Sequence, residues 1–293
     1  YSDIEYKILV EQRVEGVEYT VMTITDGSTV VPLPAIEDYP HAFSLDLGPE
    51  TGGMGSIAGP GWVPPFLEIQ EYKESIEIVK KSIEALQREV GAVYRGAIAG
   101  QMMLTSIWGP TLIEFYSRFG DPEISCMLPL IQSDFLDLLD RAARGKLAGA
   151  ALRVREDTAV VVKAVAPAGY PLNKKVAKNH PVAVDEDKIR SLGCSLLYAS
   201  VERRGNTIYT KGSRAFEIVC SGDTLEKASS KAELAVSHIK SLDGWPLFHR
   251  SDIGTTSSVN VRIKLAEKMR LAYKYRREKG LLGTTVVWVP GRG

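Results

Sequence analysis

The sequence predicts an α+β fold built as two successive units, and three observations carry that reading. Residues 17–25, 29–33, 94–105 and 111–116 are rich in β-branched and aromatic side chains between turn signals, with one long amphipathic helix set among them. After Gly145 the character changes to a continuous apolar run at 159–165, further short strands and then a helix opened by Asp223, Thr224 and Glu226. The chain has 293 residues, a length that supports about two hydrophobic cores.

Lys7–Val10, Val17–Thr25 and Thr29–Leu33 read as successive strands. The last two are joined at Asp26-Gly27, a pair that favours a tight hairpin because both positions accept positive φ. Pro34 to Pro65 is rich in glycine and proline and has neither period, so it reads as a long loop, ordered or not. From Glu74 to Val90, Ile76, Val79, Ile83, Leu86 and Val90 recur at steps of three and four, which predicts an amphipathic helix. Tyr94–Thr105 and Thr111–Tyr116 are expected to pair across a turn at Trp108-Gly109-Pro110. Ser133–Arg144 is expected to form a helix stopped by Gly145. In the second unit, Ala159–Val165 and Ala215–Cys220 are strands, and Cys194–Glu202 with Asn206–Lys211 is a hairpin about Arg204-Gly205. The helix that follows carries Leu225, Ala228, Ala232, Ala235 and Ile239 on one side. Beyond residue 254, Val261, Leu265, Met269 and Tyr273 share a helical side amid lysines and arginines, as expected of a helix packed on the parent domain, and Thr285–Val289 reads as a strand.

Composition narrows the function classes. Lysine plus arginine and aspartate plus glutamate number 36 each, so the whole chain offers no electrostatic case for nucleic acid. No apolar run approaches the roughly 20 residues that span a bilayer. Cys126, Cys194 and Cys220 lie far apart in apolar surroundings and read as reduced core residues of a cytoplasmic protein, neither disulfide nor metal site. His180, His238 and His249 lack ligand spacing and read as structural or surface residues.

Chemistry concentrates at Leu-Ile-Glu-Phe-Tyr-Ser-Arg-Phe-Gly-Asp-Pro-Glu, residues 112–123, which holds Glu114, Arg118, Asp121 and Glu123. Alternation sends Leu112 and Glu114 one way and Ile113 and Phe115 the other, and Asp121 is placed to cap the helix that follows. A carboxylate at a strand end followed by a guanidinium suits a magnesium-bound polyphosphate, since the ion wants hard oxygens and the phosphates a planar cationic fork. The plainer reading is a strand with a solvated, salt-bridged end.

With Gly48-Pro-Glu-Thr-Gly-Gly-Met-Gly55 before it and Ala168-Gly-Tyr-Pro171 after it, this motif resembles the phosphoribosylamine-glycine ligases, also called glycinamide ribonucleotide synthetases. The resemblance runs from about Ile8 to Gly254. It implies the back part of an ATP-grasp domain over residues 1–152, whose amino-terminal part and preceding domain are expected in front of Tyr1. A smaller mixed α/β carboxy-terminal domain follows over 153–254, and residues 255–293 form an extension. The implied activity is ligation of glycine to 5-phosphoribosylamine in purine (IMP) biosynthesis, with ATP and Mg2+ or Mn2+, by a monomer without nucleic-acid or membrane partners. This portion alone is expected to be inactive. A non-catalytic nucleotide-binding descendant and an ATP-grasp carboxylate-amine ligase with another acceptor are the alternatives.

The same resemblance suggests roles residue by residue. Glu11 lies in the segment whose backbone meets adenine, and Glu18 falls near the ribose unless it belongs to a solvated strand connection. Asp38, Thr51, Gly52, Gly53 and Asp121 line the substrate pocket, the glycines letting backbone amides approach an anion. Gln101 and Glu114 hold the metal, with a cross-strand hydrogen bond as the alternative for Gln101, and Arg118 meets the moving phosphate. Four departures stand out: Gln12 for an acidic residue, Glu50 for asparagine, Pro40-His41 for a basic pair, and Tyr116 for a metal-bridging asparagine. A neutral phenol with pKa about 10 is a poor magnesium ligand, so Tyr116 is the doubtful member of the metal set.

Overall fold

A computed structural model describes Ile8 and residues 10–283. The first part of the chain comprises strands β1 (Gly16–Thr25), β2 (Val30–Pro32), β3 (Glu37–Asp38), β4 (His41–Phe43), β5 (Leu47–Glu50) and β6 (Gly55–Ala58), then helix α1 (Ile69–Val90). Strands β7 (Gly96–Thr105) and β8 (Gly109–Tyr116) and helices α2 (Glu123–Met127) and α3 (Phe135–Arg144) complete it. The second part runs β9 (Ala159–Pro167), β10 (Lys178–Val184), α4 (Glu186–Ser191), β11 (Cys194–Tyr198), β12 (Val201–Arg204), β13 (Thr207–Lys211) and β14 (Phe216–Gly222). It ends with α5 (Leu225–Val236), β15 (Ile239–Ser241), β16 (Leu247–Phe248) and α6 (Thr256–Glu278). The α+β class read from the sequence is the observed one.

An antiparallel sheet in the order β2-β1-β7-β8 forms the front layer. Along β1, Val17, Tyr19 and Val21 enter one core with α1 and α6, whereas Met22 and Ile24 enter another with α3 and β9. Both faces are therefore covered over much of the strand, which is why its sequence is nearly all apolar. A larger sheet, β11-β14-β9-β6-β3, lies behind, with β16 also paired to β9. Val160 and Val162 of β9 face the front core and Val161 and Val165 the rear one, so β9 is the shared wall of two cores. The sheet takes β3 and β6 from one side of residue 152 and β9, β14 and β11 from the other.

Local chemistry sets the helix ends. Helix α1 begins at Ile69, earlier than the apolar period suggests, because Glu71 reaches back to the backbone N–H of Glu68 and closes a capping box. Gly91, in the left-handed region at φ 68°, ends it. Asp134, Thr224 and Thr255 cap α3, α5 and α6 by accepting backbone N–H groups.

The structure corrects several sequence expectations. The strand expected at 7–10 lies largely outside the described residues, and Ile8 and Val10 are exposed and irregular. The Asp26-Gly27 turn spans 26–29 and only Gly27 takes positive φ; Asp26 instead accepts from the N–H groups of Ser28 and Thr29. Pro34–Pro65 is ordered, since β3 and β6 join the rear sheet and β4 and β5 form a ribbon. The expected Cys194–Glu202 strand breaks at Ala199-Ser200, with β11 in the rear sheet and β12 in the separate sheet β12-β13-β10-β15. Cys194 and Cys220 are not reduced: antiparallel register sets them opposite each other, Cα atoms 4.4 Å apart, and a disulfide joins them. Cys126 is the buried free thiol. Helix α6 packs on the front sheet as expected, with Leu265 and Met269 of the expected stripe in the core shared with α1 and Ala266 beside them, while Val261 is exposed and Val259 enters the rear core. The strand expected at 285–289 lies outside the described residues. Among the described residues no helix is long and apolar enough to cross a membrane.

Gly55 marks a close approach of β6 to β9 within the rear sheet. Its φ is +153°, and a Cβ there would stand 2.1 Å from the Val162 carbonyl oxygen. Gly55→Ala is expected to destabilise the fold by about 3 kcal/mol, overlap and backbone strain together, read from the urea midpoint. Gly61→Ala, with a positive φ but open space around it, is the reference and should cost only about 1–2 kcal/mol.

Candidate active site

The period of two that builds the front core also builds the cleft. Met22 and Ile24 of β1 share a face with Glu18 and Thr20, and β7 places Gln101 opposite Thr20. Where the covering layer of α3 and β9 gives out, that face carries polar side chains. On β8, Gln101 pairs with Glu114 but Met102 pairs with Leu112, so Ile113 is the extra residue of a β-bulge. Leu112 therefore faces the α1 core with Met102, and Glu114 faces the cleft with Gln101. The simple alternation expected for 112–115 fails at this residue. Tyr116, opposite Ala99, returns to the cleft face.

Hydrogen bonds tie these groups together. Thr20 Oγ1 donates to Gln101 Oε1 at 2.7 Å and lies 3.2 Å from Glu123 Oε1; Gln101 Nε2 donates to Asp38 Oδ1 at 3.2 Å. The Tyr116 hydroxyl donates to Glu114 Oε1 at 3.1 Å, with Gln101 Oε1 3.5 Å away. Burial and the carboxylates around it push this phenol up from its ordinary range, so it stays neutral and donates. Its hydroxyl links the Glu114 and Gln101 side chains. The Arg118 guanidinium lies over the Tyr116 ring, 4.9 Å from its centroid, and donates to the Phe119 carbonyl at 2.7 Å.

The opposite wall is the turn after β5. Thr51 N and Oγ1 both bond the Pro40 carbonyl, and Oγ1 accepts from Gly53 N at 3.0 Å. Gly52 N donates to the Tyr170 hydroxyl at 2.9 Å, and Arg214 Nη1 donates to the Gly53 carbonyl at 3.0 Å. Gly53 has φ +99°, and a Cβ there would stand 2.6 Å from Pro122 Cδ, so only glycine passes between the two. Asp121 does not cap α2, which starts after Pro122 without a side-chain cap. Its carboxylate instead pairs with Arg214 Nη1 at 2.9 Å.

These groups line one cleft of about 380 Å³: Glu18, Asp38, Thr51, Gly52, Gly53, Gln101, Glu114, Tyr116, Arg118, Asp121 and Glu123 among them. Of the residues singled out from the sequence, Glu11 alone stands apart. It is exposed and lines an adjoining groove with Gln12, Met103, Trp108 and Leu112, which meets the cleft at Ile113. Two larger hollows, about 530 and 570 Å³, open against β10 and hold none of these residues.

The sequence profile of the phosphoribosylglycinamide synthetase ATP-grasp (A) domain matches residues 1–124, and that of its C domain matches residues 160–256. The chain belongs to the phosphoribosylglycinamide synthetase family. It is 39% identical over 263 residues to the phosphoribosylamine-glycine ligase of Methanothermobacter thermautotrophicus, covering 90% of this chain and 58% of that protein. The corresponding ligase of Pyrococcus furiosus is 38% identical over 264 residues, covering 90% and 57%. The crystal structure of the Thermotoga maritima ligase superposes with a TM-score of 0.68 at 25% identity, over 83% of this chain and 56% of that one. The chain thus spans somewhat more than half the length of the synthetase relatives it matches, and its fold is that of the ATP-grasp family.

Sequence reading placed Glu123 in the chemical stretch and Tyr170 in a family motif without giving either a role, and missed Thr20 and Arg214 as supports of the site. Polar Glu18 and Thr20 between apolar Val17, Tyr19 and Val21 were a readable signal, because a strand buried on both faces has no reason to carry them. Arg214 gave no local signal, since its role depends on the rear sheet bringing it under Gly53.

Burial, and then Asp38, raise the Glu18 and Glu123 carboxyls to about 7, and burial raises Asp38 as well. A site that holds its carboxyls this way is suited to a cation. Among the described residues no three His, Cys, Asp or Glu side chains converge closely enough to hold one by themselves. That donor set fits magnesium, which keeps several waters and binds through one or two carboxylates plus phosphate oxygens.

An unfolded glutamate titrates near 4.5, so between that pH and about 7 the native state carries the extra protons. The stability contributed by this protonation is complete below 4.5 and is lost as pH rises through 7. Glu123→Gln is expected to flatten the decline and to raise the melting temperature at pH 8 by roughly 2–4 °C. Parallel pH profiles for parent and variant would contradict this.

Proposed function

We propose that this chain is the catalytic back portion of a phosphoribosylamine-glycine ligase, which couples ATP cleavage to amide formation between glycine and 5-phosphoribosylamine in cytoplasmic purine synthesis. The observation that carries the reading is the single cleft that gathers ten of the eleven residues the family resemblance singled out, in a chain 39% identical to a ligase of that name. The division into 1–152, 153–254 and 255–293 belongs to this proposal, with the rear sheet as the joint between the first two.

The glycine carboxylate attacks the γ-phosphorus of ATP, ADP leaves, and the resulting glycyl phosphate carries an activated acyl carbon. The amine of phosphoribosylamine attacks that carbon, phosphate leaves with the bonding pair, and the amine proton passes to solvent. No protein nucleophile takes part, so the chain contributes alignment and charge compensation. Glu114 and Gln101 would hold Mg2+ or Mn2+, which would offset the charge of the polyphosphate. Tyr116, a neutral phenol hydrogen-bonded to Glu114 and beside Gln101, would orient both side chains. Arg118 meets the transferring phosphoryl group, Glu18 the ribose, and the groove by Glu11 the base. Asp38, Asp121 and the 51–53 turn hold the glycine and the ribosylamine.

Tyr116 in place of asparagine favours one rival, a descendant that binds nucleotide without turnover. Glycine-dependent phosphate release by the full-length protein separates the two, present for the ligase and absent for the descendant. In the active protein, Glu114→Gln is expected to lower magnesium-dependent turnover at least about 100-fold with an unchanged circular dichroism spectrum. Undiminished turnover in that variant would remove the metal assignment.

A further inference from the structure

We infer that α6, which runs past residue 256 where the family's C-domain profile ends, is a working part of the cleft through Arg262, a positioning residue for the ribosylamine acceptor. The inference rests on the ligase reading above and names a residue that reading does not use.

A chamber of about 130 Å³ opens beside the cleft and shares Glu18, Asp38 and Pro40 with it; Gly16, His41, Asp46 and Arg262 complete its lining. Arg262 reaches it from α6. Its Nε donates to Glu37 Oε1 at 3.0 Å, its Nη2 lies 2.8 Å from Asp46 Oδ2, and its plane covers the Tyr39 ring at 5.5 Å. Both carboxylates belong to elements that build the acceptor wall. Glu37 is fully buried and adjoins Asp38 on β3, so Arg262 is the counter-charge that keeps a desolvated carboxylate on this strand. Asp46 sits in the β4–β5 turn, whose Leu45 and Asp46 have φ of 63° and 56°, a conformation that needs outside support. That support comes from the carboxy-terminal segment. Arg250 Nη1 donates to Asp46 Oδ1 at 2.9 Å, Leu45 N donates to Asp252 Oδ2 at 3.1 Å, and Arg262 takes the second Asp46 oxygen. The ribbon held in this way leads directly into Thr51, Gly52 and Gly53. Loss of Arg262 frees β3 and the ribbon together, and with them Asp38 and the 51–53 turn, while Glu11 and the base groove keep their place.

The test uses the full-length protein and three variants: Arg262→Met, Arg262→Lys and Arg270→Met. Arg270 makes the comparable ion pair of the same helix, to Glu71 at 2.7 Å, and lines neither chamber nor cleft. Arg262→Met is expected to raise the KM for phosphoribosylamine at least about tenfold and to leave the KM for ATP within about twofold. Arg262→Lys should recover part of that loss, because one ammonium replaces the charge but not the fork that spans Glu37 and Asp46. Arg270→Met should lower thermal stability without changing either KM. If the Arg262 variants lose ATP and acceptor affinity equally, or behave as Arg270→Met does, the inference fails while the ligase reading stands. If the parent protein shows no glycine-dependent turnover, the ligase reading itself fails.

Discussion

Everything in this molecule depends on how the front sheet is covered. β1 and β7 are buried against α1 and α6 on one face along most of their length, but on the other face the covering layer stops partway. A strand with a period of two cannot change its mind about which side chains share a face, so the positions that continue Met22 and Ile24 must face a cleft, and there they are Glu18 and Thr20. Three consequences follow from that geometry: the carboxyls are largely desolvated, they lie close to one another, and they hold protons at a pH where free carboxylates do not. Such a set is costly in an empty protein and is relieved by a cation.

The rear unit acts as the brace of that cleft. Tyr170 and Arg214 fix the 51–53 turn from below, and Arg250 and Arg262 fix the ribbon that leads into it. β3 and β6, from the early part of the chain, are strands of the rear sheet, so the 51–53 wall of the cleft and the carboxy-terminal core share one hydrogen-bonded framework. This explains why a stretch as rich in glycine and proline as 34–65 is ordered. Its strands are too short to show a period, and β6, which ties the stretch into the rear sheet, finds its partner β9 more than a hundred residues away in sequence.

Much of the fold was legible because the longest elements carry their own signals. The apolar stripe of α1, the runs at β1 and β9, and the turn between β7 and β8 are local properties, and the structure places them within a few residues of where the sequence does. The residues that gather in the cleft were legible through their motifs. What could not be read locally was register. The bulge at Ile113 sends Leu112 and Glu114 to opposite faces, the Cys194–Cys220 pairing follows from β11 lying against β14, and the task of Asp121 is set by Arg214, ninety-three residues away. Along α6 the expected stripe holds at Leu265 and Met269 and fails at Val261, which is exposed, and the helix is also tied by Arg262 to Glu37 and by Arg270 to Glu71.

The central claim is that the desolvated carboxyls beside Glu114 and Gln101 lose protons to solvent when a cation and a polyphosphate bind in this cleft. Calorimetric titration of the full-length protein with magnesium and ATP near pH 6.5, repeated in buffers of different ionisation enthalpy, counts those protons. The account predicts net proton release that requires magnesium; binding with no proton release, or release that is the same without magnesium, would contradict it.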